Sequence, residues 1–477
     1  MKRRLLPAIL AALAILLVSG TQRGTALAQA LPTDPRNGVI CETSTDGHFD
    51  LTATIGYALM SDGNAIHMWG YALGEHSDVS VAAEHYQYPG PILCVNQGDT
   101  LSITLHNLLP EDTSLIFPGQ DNVQAGNALS QPQFSAGTLT SLAPVAQAAA
   151  IVSGNVVSGS TMTYSFVASQ PGTYMYESGT NAGVQVQMGM FGTIIVRPTV
   201  DANGNDFSYH YNYHDGNRAA NEGQVAYAYA RPDSAYNPAH EHVEILSEID
   251  PFMHQAYESD FISWMGTGDF TAQFDMQNYV ARYFLINGRT FPDTMADNNA
   301  AWLPNQPYSA LVHIYPYDAA TNPNPALVRY VGAGTQDYPF HPHGNDSLVI
   351  GRDGRALVNA SGADLSMYKF SIPVGPGQTW DITFDWKDDN NYSSSNPIPV
   401  TVPQTANLTV GPYWSGSAYL GSSGALPPGG EGYSQCGEYY HIAHNHALQQ
   451  MTSWGGITLS GQATYTRIDP PLPNNCP

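Results

Sequence analysis

The chain has 477 residues, of which 40 are acidic and 16 are lysine or arginine, so its formal net charge is −24 at pH 7 with histidines neutral. So acidic a protein would be repelled by nucleic acid and by anionic membranes, and no basic cluster offsets the charge. The length exceeds what one hydrophobic core of typical size supports, which predicts two domains.

The N-terminus has the organisation of a secretory signal peptide. Residues 2–4 are basic, residues 5–18 form an apolar stretch, and residues 28–30 have the small-x-small pattern of a cleavage site. A retained membrane anchor is the alternative, but the apolar stretch is short for a spanning helix. We therefore predict cleavage of residues 1–30, export to the periplasm or the extracellular space, and no membrane association afterwards.

The remaining sequence predicts β structure. It is rich in Gly, Pro and Tyr, with 45, 34 and 29 of each, and shows little helical periodicity. Apolar and polar residues alternate in segments 101–105 and 380–386, which is typical of half-buried strands in sheets that pack face to face. The predicted fold class is all-β.

Composition divides the chain into successive regions. We predict a first β-sandwich over 48–198, and a linker or insertion over 199–239, which is polar and rich in Tyr, Asn and Gly. A second sandwich is predicted over 240–467, interrupted by a Ser/Gly/Pro-rich surface insertion over 387–432.

Four cysteines in an exported chain indicate two disulfides. The preferred pairing is Cys41 with Cys94 and Cys436 with Cys476, which keeps each bridge local to one end of the chain. The sequence alone leaves the pairing open.

Several segments, in order and with matching spacing, resemble the multicopper oxidases. In the first domain the matching features are a Pro-Gly-Pro turn that leads into a strand and a Gly-Asp turn (88–100) and two closing strands (171–176 and 190–196). In the second domain they are the first strand (241–250), a His-rich strand turn (340–344), a Pro-Gly hairpin (376–381) and a last His-bearing strand (437–446). The His-Asn step in the last segment is closer to two-domain copper nitrite reductases than to laccases.

The resemblance implies tandem Greek-key cupredoxin β-sandwiches, copper as the cofactor, and a homotrimer, since two-domain members are typically trimeric. It also implies two kinds of copper centre. A blue copper centre needs a thiolate and two imidazoles, usually with a weak axial thioether. The trinuclear centre of the family takes imidazoles from both terminal domains.

The first-domain share of those imidazoles is missing. Ile116 and Pro118 stand where the family has one His-x-His pair, and Glu177 and Gly179 occupy the region of the second pair. Ile, Pro and Gly offer no side-chain ligand, and Glu177 would suit a harder cation. We therefore expect no laccase-type reduction of dioxygen.

The second domain keeps more candidate ligands. His341 and His343 stand at family positions, while Tyr338 replaces an expected blue-copper histidine, and Tyr440 or His441, depending on register, occupies the cysteine position. In one register His446 and Met451 have the His-x4-Met spacing of a blue-copper loop, and in another His444 matches a type 2 copper histidine. Cys436 is the one candidate thiolate nearby, and a disulfide with Cys476 is favoured over that role. The candidate metal ligands are His341, His343, His444, His446 and Met451.

Two functions follow from these residues. The first is an exported copper-binding protein with a mononuclear site of His341, His343 and His444, with His446 as a further candidate, and with oxidoreductase activity as a possibility that the site leaves open. The alternative is a metal-free binding or structural protein that retains the fold, its histidines serving packing and hydrogen bonding.

Other close residue pairs are interpreted structurally. The pairs His210 with His214 and His240 with His242 are predicted to be exposed polar residues near the linker. Met188 and Met190 alternate on a predicted strand and are assigned to the core.

Overall fold

The computed structural model describes residues 38–199, 225–319, 322–344, 346–386, 439–456 and 459–468, which all belong to one compact unit. The predicted signal peptide, Cys436, Cys476, His210, His214 and the 387–432 insertion lie outside these residues. No helix among the described residues is long and apolar enough to cross a membrane.

Over residues 38–199 the regular secondary structure is mainly β-strand. They are β1 (His48–Leu59), β2 (Ala65–Leu73), β3 (Tyr86–Gln87), β4 (Ile92–Asn96), β5 (Thr100–Asn107), β6 (Gln124–Ala125), β7 (Ala128–Leu129), β8 (Gln133–Ser135), β9 (Thr138–Ser141), β10 (Ala150–Val152), β11 (Asn155–Val157), β12 (Met162–Val167), β13 (Gly172–Glu177) and β14 (Phe191–Arg197). Helices α1 (Val79–Glu84) and α2 (Ala182–Gln185) are short.

Apart from the separate pairs β8–β9 and β10–β11, these strands form two facing sheets. One has the order β3-β2-β1-β5-β12-β6-β7 and the other the order β13-β14-β4, with β1–β5 and β14–β4 parallel. The predicted alternation in β5 is confirmed, since Leu101, Ile103 and Leu105 are fully buried while Ser102 and Thr104 are half-buried. Met188 and Met190 are also buried in this core, as predicted, but the prediction that they lie on a strand is wrong, because both precede β14.

The later part of the chain repeats this organisation. Its strands are β15 (Ala226–Tyr227), β16 (Ala235–Tyr236), β17 (Glu241–Ile249), β18 (Tyr283–Ile286), β19 (Val312–Ile314), β20 (Ala326–Gly332), β21 (Tyr338–Pro342), β22 (Ser347–Arg352), β23 (Arg355–Ala356), β24 (Met367–Lys369), β25 (Ile372–Val374), β26 (Thr379–Phe384), β27 (Tyr439–Asn445) and β28 (Ala463–Ile468). One sheet has the order β18-β17-β20-β26-β22-β23, with β24 also on β22, and the other the order β19-β28-β27-β21-β25.

Strand β26 differs from its prediction as a half-buried strand. Trp380, Ile382 and Phe384 face the core, but Asp381 and Thr383 on the opposite face are buried as well. The outer face is covered because β13 of the first sandwich and the β15–β16 segment pack over it: Thr173 donates a hydrogen bond to Asp381 at 2.6 Å, and Tyr229 donates another at 2.5 Å. The alternation of apolar and polar residues predicts which face of the strand packs on the core. Whether the polar face is exposed to water depends on the elements that pack over it.

A buried network of charged side chains joins the two sandwiches, and we call it the arginine network. Arg329 contacts Glu241 at 2.7 Å and Asp381 at 3.4 Å, and Arg197 of β14 also contacts Glu241. Burial by itself would raise the pKa of Glu241, but the charges of Arg197 and Arg329 outweigh it and lower the pKa to about 2. Glu241 is therefore ionised at neutral pH. Its buried negative charge and the positive charges of Arg197 and Arg329 compensate one another.

The described part of the predicted linker, 225–239, is packed against the second sandwich. Strand β15 pairs with β16, and Tyr229 and Tyr236 are buried beside Leu327 and Ile350. These aromatic side chains bury apolar area, so this part of the segment is held by the same burial that holds the core.

The predicted Cys41–Cys94 disulfide is confirmed. It joins the segment before β1 to β4, where the Glu42 amide donates to the Ile92 carbonyl at 2.8 Å and the Cys94 amide donates to the Glu42 carbonyl at 2.9 Å. The bridge therefore anchors a segment that short backbone pairing alone would hold weakly.

Helix α3 (Pro251–Thr267) covers one face of the first sandwich. Asp250 caps its N-terminus by accepting from the Phe252 amide, and Gly268 ends it in the left-handed conformation with φ of 84°. His254 on its buried side donates from Nδ1 to the carbonyl oxygen of His67 at 2.6 Å. Two buried histidines thus lie together where α3 meets β2.

Candidate metal centre

Four of the predicted ligands come together on two paired strands. β21 and β27 are antiparallel neighbours with His341 opposite His444, while His343 follows the end of β21 and His446 follows the end of β27. The ring centres of His341 and His343 are 4.6 Å apart, those of His343 and His444 are 5.1 Å apart, and those of His341 and His446 are 5.3 Å apart. We call this group the four-histidine cluster.

The ring nitrogens are oriented by backbone carbonyls. Nδ1 of His341 donates to the Phe370 carbonyl, and Nδ1 of His444 donates to the Asn445 carbonyl at 2.9 Å. Because a carbonyl only accepts, both rings carry their proton on Nδ1, which leaves Nε2 with a lone pair. Nε2 of His343 lies 3.1 Å from Nε2 of His444.

The cluster is open to solvent on one side and buried on the other. His444 is buried, His341 is half-buried, and His343 and His446 are exposed. Although His343 is exposed at the rim, partial desolvation of its ring against the cluster, followed by the nearby rings of His341, His444 and His446, lowers its pKa to about 4. Burial is also the main reason that the pKa of His444 is lowered. Neutral imidazole is the form that binds metal ions.

The donor set fits copper or zinc in its chemistry. Imidazole suits both ions, and the 3.1 Å nitrogen separation matches two ligands that share one ion with metal–nitrogen bonds of about 2.0–2.1 Å. Among the described residues, no group of three side chains already surrounds a single point as metal ligands. Occupancy therefore requires the exposed rings of His343 and His446 to turn about their side-chain torsions.

A buried amide network lies behind the cluster. Asn445, between the two cluster histidines of β27, is fully buried; its Nδ2 donates to Oε1 of Gln450 and, at 2.6 Å, to Oε1 of Gln462. Gln450 donates to Gln336 at 2.8 Å, and Gln462 donates to the carbonyl of Ser247 at 3.0 Å. These amides fix the end of β27 and so the positions of His444 and His446. Apart from the His-Asn step that contains Asn445, the sequence carries no signal for these amides, because Gln and Asn at such spacing match no recognisable motif.

Met451 and Tyr338 were the other residues considered for a copper centre in this domain. Met451 ends a 3₁₀ helix (Leu448–Met451), where its carbonyl accepts from the Ser460 and Gly461 amides at 2.9 and 2.8 Å, and its role as a ligand stays a prediction. Tyr338 is fully buried on the core face of β21. The hydroxyl oxygen of Tyr338 and Oε2 of Glu248 both lie against Gly334. A Cβ added at Gly334 would be 1.8 Å from the Tyr338 hydroxyl and 1.9 Å from Oε2 of Glu248.

His441 and Tyr440, the residues considered for the cysteine position, are both on β27. The ring of His441 packs on Trp386 with centres 4.3 Å apart, and burial, with the neighbouring His343, lowers the pKa of His441 to about 3. Tyr440 is buried near Tyr465 in a separate small core. Asn445 is the residue that stands between the two cluster histidines, and it offers no thiolate.

Comparisons with known proteins agree with this architecture. A multicopper oxidase family profile matches residues 148–201. The multicopper oxidase GIP1 of Gibberella zeae is 28% identical over 116 residues, which are 24% of this chain and 15% of that protein. The solved multicopper oxidase mgLAC has a TM-score of 0.50 at 17% identity, covering 89% of this chain and 86% of its own.

Two solved proteins of Nitrosomonas europaea also resemble the chain. They are a blue copper oxidase, with TM-score 0.49, 15% identity and coverage of 90% and 86%, and a copper nitrite reductase, with TM-score 0.45, 16% identity and coverage of 91% and 96%. The chain resembles multicopper oxidases in sequence over residues 148–201 and has their cupredoxin fold. The predicted fold class, all-β tandem cupredoxin sandwiches, is confirmed.

In this chain the first-domain positions lie together and carry no imidazole. Ile116 and Glu177 exchange backbone hydrogen bonds of 2.9 and 3.2 Å, and a Cβ on Gly179 would lie 2.7 Å from Cγ2 of Ile116. Buried hydroxyls of Ser114 and Thr180 fill the adjacent space, 2.8 Å apart. Burial raises the pKa of Glu177. The residues present do not fit the first-domain half of a trinuclear copper centre.

The expected exposure of His240 and His242 is wrong. They are 2% and 4% exposed, because the chain around β19 covers them. Nδ1 of His240 donates to the His313 carbonyl at 2.7 Å, and Nε2 of His242 accepts from the His313 amide at 3.2 Å. The backbone of His313, 73 and 71 residues along the chain, therefore provides hydrogen-bond partners for the buried rings of His240 and His242. No local sequence pattern could indicate such a distant contact.

Proposed function

We propose that this chain is an exported copper-binding protein whose single site is formed by His341, His343 and His444, with His446 as a fourth candidate ligand. The observation that carries the proposal is the convergence of four imidazoles on two paired strands. Two of them have their Nδ1 protons held by backbone carbonyls, so each presents a lone pair on Nε2.

Bound copper would supply one-electron redox chemistry. The chain's own contribution is to orient the rings, to hold the Nδ1 proton of His341 on the Phe370 carbonyl, and to leave the side with His343 and His446 open to solvent. A small reductant or oxidant could approach from that side. With Ile116 and Gly179 in the first-domain positions, four-electron reduction of dioxygen is not expected.

The test is copper stoichiometry. Protein loaded with copper and dialysed should retain one ion per chain, with nitrogen hyperfine structure in its electron paramagnetic resonance spectrum. His343→Ala and His444→Ala should abolish retention, while His85→Ala, which removes an exposed histidine after α1, should not. Retention below background, or retention that both cluster variants preserve, would contradict the proposal.

The second candidate function is a metal-free binding or structural protein. It is favoured by the Ile116–Gly179 contact and by Asn445, which stands between the cluster histidines without offering a thiolate. It would follow if copper were not retained.

Export and trimer formation belong to the same proposal. The first residue of the secreted protein should be Leu31, which N-terminal sequencing would establish. Sedimentation of that protein should give three times the mass of one chain. A sedimentation mass equal to one chain would contradict the proposed trimer. It would not affect the proposed copper site, whose ligands all come from one chain.

Replacement of Asn445 by leucine should weaken copper binding about 10–100-fold, the usual cost of losing an outer partner of a metal ligand. The change removes the donors to Gln450 and Gln462 while leaving all four imidazoles. A competitive titration with a copper chelator measures the effect. Asn155→Leu, at an exposed hairpin, is the matched control, and equal affinities for the two variants would refute the positioning role.

A further inference from the structure

Two adjoining hollows lie on the surface of the first sandwich, and all the residues that line them fall within 100–169. The first has a volume of about 360 Å³ and the second about 390 Å³. Both volumes are within the usual range for small-molecule sites, about 300–1,000 Å³. Asn122 lines both hollows, so they meet at this residue and form one cleft, which we call the Asn122 cleft.

The floor of the Asn122 cleft is aromatic. Phe117 lines the first hollow and Phe166 lines the second, and their ring centres are 5.0 Å apart. Both side chains belong to the core of the first sandwich and are 6% and 4% exposed. Core packing therefore holds the floor in place before any ligand binds, which lowers the ordering cost of binding.

Backbone pairing fixes the residues at the rim. The Gln120 amide donates to the Phe117 carbonyl at 3.1 Å, which closes a turn beside the first hollow. Gln124 of β6 lies directly opposite Ser165 of β12. Residues opposed in this way project to the same face of a sheet, which brings both side chains to the wall of the second hollow.

The rim of the cleft carries almost no charge. Among the described residues that line the two hollows, Asp121 is the one with a charged side chain, in a chain that has 40 acidic residues. The other polar side chains are amides and hydroxyls, among them those of Gln120, Asn122, Ser130 and Ser165. Amides and hydroxyls both donate and accept hydrogen bonds, so this rim is suited to a neutral ligand with many hydroxyl groups.

Gln120 has a donor that the chain does not use. Its Nε2 is buried, and among the described residues it has no hydrogen-bond acceptor. A buried donor without an acceptor is unfavourable, because its hydrogen bond to water has been lost and not replaced. A hydroxyl oxygen of a ligand in the first hollow would supply the missing acceptor.

Other classes of ligand fit the cleft less well. An anion would be repelled by a chain of net charge −24, and a cation would find Asp121 as its single carboxylate partner in the lining. An extended peptide commonly binds by adding a strand to a sheet edge, but the edge strand here, β7, has two residues. An apolar molecule would cover the floor and leave the amides at the rim without partners.

We propose that the Asn122 cleft binds a neutral oligosaccharide that extends through both hollows. The sugar rests on Phe117 and Phe166 and is hydrogen-bonded to Gln120, Asn122 and Ser165. The proposal does not depend on copper, and it is tested on metal-free protein.

The experiment is calorimetric titration with four neutral sugars: cellopentaose, xylopentaose, laminaripentaose and maltopentaose. At least one should bind, and its affinity should be the same at low and at high salt, because no charged group of the ligand takes part. Pentagalacturonate, an acidic analogue, should bind at least about tenfold more weakly, because the chain is strongly acidic.

Variants of the rim locate the site. Gln120→Leu and Asn122→Gly should each weaken binding of that sugar about two- to tenfold, the range expected for loss of a neutral hydrogen bond. Glycine is used at position 122 because Asn122 has φ of 54°, a left-handed conformation that glycine adopts without strain. Gln147→Leu, at an exposed position outside the cleft, is the matched control for Gln120→Leu and should bind as the wild type does.

Three results would overturn the proposal. They are no binding of any of the four sugars at millimolar concentration, unchanged affinity in the variant that combines Gln120→Leu with Asn122→Gly, or tighter binding of the neutral peptide acetyl-tetraglycine amide than of any sugar, which would indicate a peptide site. A circular dichroism melt of each variant separates weaker binding from misfolding.

Discussion

Replacement of Arg329 by methionine is expected to lower the free energy of unfolding by about 3–5 kcal/mol, the usual cost of removing one partner from a buried ion pair. Arg329 and Glu241 are both fully buried, and Asp381 is 1% exposed. Methionine fills a similar length of space without the charge. Glu241 would then keep the compensation of Arg197 and the hydrogen bond that Tyr236 donates at 3.1 Å, and Asp381 would keep the hydrogen bonds from Thr173 and Tyr229.

The effect should be large because the arginine network lies between the sandwiches. Thr173 and Arg197 come from the first sandwich, whereas Glu241, Arg329 and Asp381 come from the second. Water has no access to this contact, so solvent cannot stabilise the charge left behind.

Urea unfolding of the variant and the wild type measures the change. Arg355→Met is the matched control, because Arg355 is exposed and should change stability by less than about 0.5 kcal/mol. If the two variants shifted the midpoint equally, the network would not be a main contributor to stability.

Replacement of His67 by leucine is expected to reduce the loss of stability between about pH 7.5 and about pH 5 by roughly 2 kcal/mol. Burial, followed by the neighbouring His254, lowers the pKa of His67 to about 3 in the folded protein. Burial also lowers the pKa of His254 to about 4. Both pKa values lie below the value near 6.5 of an unfolded histidine.

The sign follows from proton binding. Below pH 6.5 the unfolded chain takes up protons at these histidines and the folded chain does not, so their contribution to stability is complete above pH 6.5 and falls as the pH falls. Buried carboxyls such as Glu244, whose pKa burial raises, act in the opposite direction. The comparison between variant and wild type therefore isolates His67 better than the wild-type curve alone.

Unfolding free energies at several pH values provide the measurement. Among the residues that the structure describes, neither ring nitrogen of His67 has a hydrogen-bond partner, so leucine should cost little at pH 7.5. His85→Leu, at an exposed site, should keep the wild-type pH dependence. Parallel curves for His67→Leu and the wild type would show that His67 is accessible to protons in the folded protein.

Local sequence predicted features that depend on near neighbours. Alternation in 101–105 predicted which side chains of β5 are buried, because successive residues on a strand face opposite sides. The pairing of Cys41 with Cys94 was also predicted, since it requires only that each bridge stay within one end of the chain. The spacing of His341 with His343 and of His444 with His446 indicated two candidate ligand pairs.

Only the tertiary structure decided which of those groups meet. His343 and His444 are 101 residues apart, and the β21–β27 register that joins the two pairs is a long-range contact with no local signal. Burial of Asp381 and His240 likewise depends on elements from other parts of the chain. The sequence by itself therefore determined the strands, their inward faces and the available donors. The packing of distant strands decided which donors converge and which polar groups lose contact with water, because both depend on neighbours that the local pattern does not encode.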